Sequence, residues 1–152
     1  MNFNAKIRGS EWLVLAASVA LLISSYFAWF ELAHFGVTLE MNLWDLSVAR
    51  WWVYLAVALG LSVYLTALLS RTPDWSVILC TPLVIFSFFA MVSLLWRVID
   101  SPVDAASATA WFYVAVVSSV ALFAGACWAI RDESVPSGFL RSPKPEMIEV
   151  DG

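Results

Sequence analysis

Along the chain, charged residues are confined to short segments between long apolar runs. Four stretches, Trp12–Phe30, Trp51–Leu69, Trp75–Trp96 and Trp111–Ile130, contain no Asp, Glu, Lys, Arg or His. Each is roughly 19 to 22 residues long, the length of a helix that crosses a bilayer. Hydrocarbon offers no hydrogen-bond partner to backbone N–H and C=O groups, so spans of this kind must be helical. The pattern predicts an all-α membrane protein: a four-transmembrane-helix bundle over 1–131 with spans at about 12–30, 51–69, 75–96 and 111–130. A tail at 132–152 would follow on the cytoplasmic side.

The segment between the first two spans, 31–50, has a different period. Phe35-Gly36-Val37-Thr38-Leu39-Glu40-Met41-Asn42-Leu43-Trp44 alternates apolar with small or polar residues, the two-residue repeat of a half-buried strand or hairpin. It predicts a small extracytoplasmic loop cap over the helix ends, built on a strand or a β-hairpin. An amphipathic segment resting in the headgroups is the alternative. At about 20 residues the loop is long against the usual 4 to 6, which directs attention to Trp44, Phe35, Val37, Leu39 and Leu43 as interaction candidates.

Boundary signals recur before the third and fourth spans. Thr72-Pro73-Asp74 and Ser101-Pro102-Val103-Asp104 each offer an N-cap, a proline suited to the first helical turn and an acid close behind. The second of these predicts that the fourth helix starts near Pro102. Within the spans, Ala16 and Ala20, Ala56 and Gly60, and Ala121 and Gly125 follow the small-xxx-small spacing that lets helices approach closely. Pro82 is expected to bend the third helix.

Composition is consistent with a membrane setting: 62% of residues are hydrophobic and 13% charged, against about a quarter charged in soluble domains. The net charge of −4 matters by placement. Lys6, Arg8, Arg71, Arg131, Arg141 and Lys144 fall on one side of the spans, leaving Arg50 and Arg97 on the other. This positive-inside bias puts both termini on the cytoplasmic side of the membrane. Trp12, Trp75 and Trp128 would form the cytoplasmic aromatic belt, and Trp29, Trp51, Trp52, Trp96 and Trp111 the outer one. The run from Trp12 is too long for a signal-peptide core, and Tyr26 and Phe27 stand where cleavage requires small residues.

Candidate chemistry is sparse. Cys80 and Cys127 are not in a Cys-x-x-Cys arrangement and read as small buried apolar residues. A single histidine outside the spans cannot supply paired haem ligands. No nucleophile elbow, zinc-helix motif or phosphate-binding glycine loop occurs, and no carboxylate lies in mid-span, where proton coupling would require one. If the first helix continued past Phe30, Glu31 and His34 would share a face at i, i+3, half of a di-metal carboxylate–histidine motif. The expectation is no metal, no cofactor and no enzyme, with Glu31 and His34 the residues to watch. In the tail, Met147-Ile148-Glu149-Val150 alternates as a strand that could add to a partner's sheet, or it is simply disordered.

Trp29-Phe30 closing the first span and Asn42-Leu43-Trp44 preceding the second resemble a group of uncharacterised small four-span inner-membrane proteins of bacteria and archaea. The arrangement of four helices, inward termini and a long first outer loop is also similar to claudin-type tetraspans, although the loop cysteines of that family are missing here. The expected function is that of a non-enzymatic interaction protein, an accessory or assembly subunit or self-associating scaffold acting through the outer loop. Its partners would be membrane lipid and itself or other membrane proteins, with no nucleic acid. The alternative is an oligomeric pore or permease lined by Ser87 and Ser93 of the third span and Ser118 and Ser119 of the fourth.

Overall fold

The computed structural model describes residues 9–34, 37–69, 74–100 and 106–134. Four helices, α1 (Gly9–Ser24), α2 (Ser47–Leu69), α3 (Asp74–Ile99) and α4 (Ala110–Ser134), form a bundle with a small sheet at one end. α1 packs between α2 and α4, and α3 completes the ring against the same two helices. Three stretches of 22 residues, Val48–Leu69, Ile78–Ile99 and Ala110–Arg131, are long and apolar enough to cross a membrane. The 16 residues of α1 rise about 24 Å, less than a hydrocarbon core of about 30 Å.

The first span therefore stops earlier than its apolar run. The Ser24 and Ser25 hydroxyls donate back to the Leu21 and Leu22 carbonyls at 2.8 and 2.6 Å, competing with the main chain for helix acceptors. The amides of Tyr26 and Phe27 then bond to Ile23 and Ser24 in the tighter i to i−3 pattern, which ends the helix. The Trp29 indole N–H caps the Ser24 carbonyl at 2.7 Å. By Phe30 the chain is extended, as β1 (Phe30–His34).

β1 pairs antiparallel with β2 (Val37–Met41), Phe30 opposite Met41 and His34 opposite Val37. A hairpin is present, but only its second strand falls in the alternating run; its first strand takes the end of the apolar run and Glu31–His34. Its other edge is taken by β3 (Ser107–Ala108), which arrives from the far end of the chain and gives the order β2-β1-β3. The Thr109 amide donates to the Trp29 carbonyl at 2.9 Å, and its hydroxyl to the Ala28 carbonyl at 2.6 Å. These bonds hold Ser107 to Thr109 in extended form, so α4 starts at Ala110 rather than near Pro102. α4 also continues through the first residues assigned to the tail, to Ser134; residues 135–152 lie outside the described ones.

Helix contacts follow a different α1 face from the one expected. Val14, Ala17, Ser18 and Leu21 are buried, whereas Ala16 is exposed and Ala20 half-buried. One residue turns a helix by about 100°, so a one-position error points a side chain off the interface. On the facing helices the two glycines sit at close approaches. A Cβ at Gly60 would overlap the Ser18 hydroxyl, and one at Gly125 would come to 3.1 Å from Val14 Cγ2. Ala56 is fully buried and Ala121 half-buried. α3 runs through Pro82 as one helix, with the Ile78 carbonyl deprived of its usual donor.

Two other placements differ from expectation. Cys80 is buried, but Cys127 is exposed on α4. Trp29, expected in the outer belt, is 0% exposed and packs on Phe112 with ring centroids 6.0 Å apart. Its polar N–H is satisfied internally, which is what permits an indole to be buried.

Candidate interaction surface at the sheet end

Beyond β2 the chain makes a single 3-10 turn, Leu43–Asp45, before entering α2. Asn42 and Asp45 form a reciprocal capping box. The Trp44 amide donates to Asn42 Oδ1 at 2.8 Å, and the Asn42 amide to Asp45 Oδ2 at 2.9 Å. Two otherwise unpaired donors are satisfied, and the turn is fixed. The Arg50 guanidinium donates to the Trp44 carbonyl at 3.2 Å and lies over the Trp51 ring, 5.4 Å from its centroid.

Leu43 is fully buried. It therefore pins the turn to the core and is removed from the surface candidates. Trp44 has the opposite disposition: its backbone is held by Asn42 and Arg50, while its indole is 50% exposed. One side of the ring meets Tyr54 of α2, with centroids 5.0 Å apart. Leu39 of β2 is 54% exposed. Phe35 and the Val37 side chain lie outside the described residues. Elsewhere at this end, Phe27 stacks on Trp111 with centroids 4.0 Å apart and planes 7° from parallel, and Tyr26 is exposed.

Glu31 does not sit on a helix. It lies in β1 directly opposite Glu40 of β2, and both are exposed. The i, i+3 helical face that would have joined Glu31 to His34 is absent from an extended strand. Like charges facing across a strand pair are mildly destabilising, and the two acids make this face of the sheet negative. Among the described residues no group of three or more His, Cys, Asp or Glu side chains is arranged to hold a metal.

The hydroxyls of the helices are mostly committed locally. Ser87, Ser93 and Ser119 donate to Val84, Phe89 and Val116 carbonyls at 3.1, 2.6 and 2.7 Å, the back-bonding habit of helical serine. Ser118 is buried.

Three contributors have roles here that were not assigned from the sequence: Asp45, Arg50 and Tyr54. The Asn42-x-x-Asp45 spacing is itself a capping-box signature and was readable. The Arg50 and Tyr54 contacts depend on how α2 meets the turn, which no local pattern encodes. No family model, curated protein or solved structure matches the chain.

Proposed function

We propose that this is a non-enzymatic integral membrane protein that docks through the sheet end of its bundle, as an accessory or assembly subunit or as a self-associating scaffold. In this reading all four helices lie in a prokaryotic inner membrane, with the sheet outside and both termini in the cytoplasm. The six-to-two division of cations supports that orientation, as does the arrangement of helix ends. The end of α1 and the starts of α2 and α4 adjoin the sheet, and Arg50 and Arg97, the two cations left on the outer side, lie in α2 and α3 at that end.

The observation that carries the docking role is Trp44. A tryptophan held by a capping box and a guanidinium, yet half-exposed, is a pre-ordered aromatic anchor that loses little entropy on binding. Exposed Leu39 adds apolar area on one face of the sheet, and Glu31 and Glu40 carry charge on the opposite face.

The test is to extract the full chain in mild detergent and weigh the intact assembly, with and without Trp44→Ala. Docking through Trp44 predicts that the variant loses its partner or oligomer while the monomer's melting temperature stays within a few degrees. If Trp44 serves only to pack on Tyr54, the monomer will melt earlier and the assembly will persist, which overturns the proposal.

A further inference from the structure

At the sheet end, α2 and α3 part to leave a cleft of about 280 Å³ that the docking role does not use. Its shape follows from residue size. One turn deeper in the bundle, Trp52 stacks on Phe89 with centroids 4.8 Å apart and also touches Phe86. Two bulky rings wedge the helices apart at that level, and the next turn toward the sheet supplies only Val48, Ala49, Val92 and Ser93 to fill the gap. Trp96 and Arg97 complete the lining of the cleft.

The walls are apolar and the rim is cationic. Ser93 spends its hydroxyl on the Phe89 carbonyl, and the Trp96 indole N–H is directed to Asp100 Oδ2 at 3.3 Å. Arg97 is therefore the polar group left to meet a ligand. It makes no hydrogen bond or ion pair to another described residue, unlike Arg50, the other cation at this end, which is engaged by Trp44 and Trp51. A guanidinium beside an apolar slot, at the end of a helix long enough to span a bilayer, complements an anion attached to a hydrocarbon chain.

We propose that this cleft is a phospholipid site: the phosphodiester sits on Arg97, and the glycerol and first acyl methylenes lie against Val48, Ala49 and Val92. The inference rests on the membrane placement above but not on the docking role of Trp44. The slot is short, about 280 Å³ and lined by six residues of two helix ends, so it suits the head of a lipid entering from the leaflet on the sheet side rather than a helix of a second copy.

The experiment is native mass spectrometry of the delipidated full chain in dodecyl maltoside, titrated with palmitoyl-oleoyl phosphatidylglycerol. One lipid should be retained per chain. Arg97→Gln should weaken retention about tenfold, the scale of one lost charge-assisted contact, and Arg97→Lys should restore most of it. Val48→Phe changes an exposed position and fills the slot; it should abolish retention in a folded protein. Excess inorganic phosphate should not displace the lipid, and Trp44→Ala should leave retention intact. Three results would each overturn the site: unchanged binding in both Arg97→Gln and Val48→Phe, displacement by inorganic phosphate, or a change in protomer number in place of a change in lipid.

Discussion

The indole N–H of Trp29 donates to the carbonyl of Ser24 at 2.7 Å, five residues back across the turn that ends α1. Through this bond a residue that reads as a membrane-interface anchor becomes the hub of the cap. Its carbonyl receives Thr109, its amide bonds to Met41 at 2.8 Å, and its ring packs on Phe112. Trp29→Phe keeps an aromatic ring but forfeits the buried donor, and should cost about 1–3 kcal/mol. Trp29→Ala should cost more, about 3–5 kcal/mol. Thermal unfolding in detergent, followed by circular dichroism, measures both, and a Trp29→Phe variant as stable as the parent would contradict this role.

Gly60 and Ser18 form a second coupled pair. A Cβ at Gly60 overlaps the Ser18 hydroxyl, while the Ser18 Cβ lies 3.4 Å from that point. The Ser18 hydroxyl is also buried with no hydrogen-bond partner among the described residues. Gly60→Ala alone should destabilise by about 1–3 kcal/mol through overpacking. Ser18→Ala should be neutral or stabilising, because it removes an unsatisfied polar atom. The double variant should recover most of the loss, a non-additivity of roughly 1 kcal/mol or more in a double-mutant cycle; simple additivity would show that the helices do not meet there.

The capping box makes a local prediction. Asn42→Ala should cost about 1 kcal/mol and free the Trp44 amide, which Asn42 Oδ1 now accepts. Hydrogen exchange at Trp44 should accelerate while exchange in the middle of α2 is unchanged. Equal acceleration at both positions would mean that the turn has no independent role.

Orientation is testable without any knowledge of function. On a background of Cys80→Ala and Cys127→Ala, Thr38→Cys in β2 should react with a membrane-impermeant thiol reagent in intact cells, and Ser137→Cys should not. The reverse pattern would invert the proposed topology.

Much of this architecture was legible in the one-dimensional pattern. The helices and the strand β2 follow from hydropathy and a two-residue alternation, both local properties, because apolar segments must satisfy their own backbone and alternating ones must divide between two faces; β1, which lies ahead of the alternating run, does not. The tertiary structure decided what depends on partners distant in sequence. The end of α1 at Ser24 reflects serine hydroxyls competing for carbonyls and an indole cap that exists only once the chain has turned back. The start of α4 is set by Thr109 bonding to Ala28 and Trp29, about 80 residues away in sequence. Leu43 is buried and Trp44 half-exposed, as alternation alone would have it, but they are carried by a 3-10 turn and not by a strand. Which α1 stripe meets Gly60 and Gly125 was likewise open, since helix rotation is chosen by the shape of the neighbouring surfaces and not by the spacing of small residues alone.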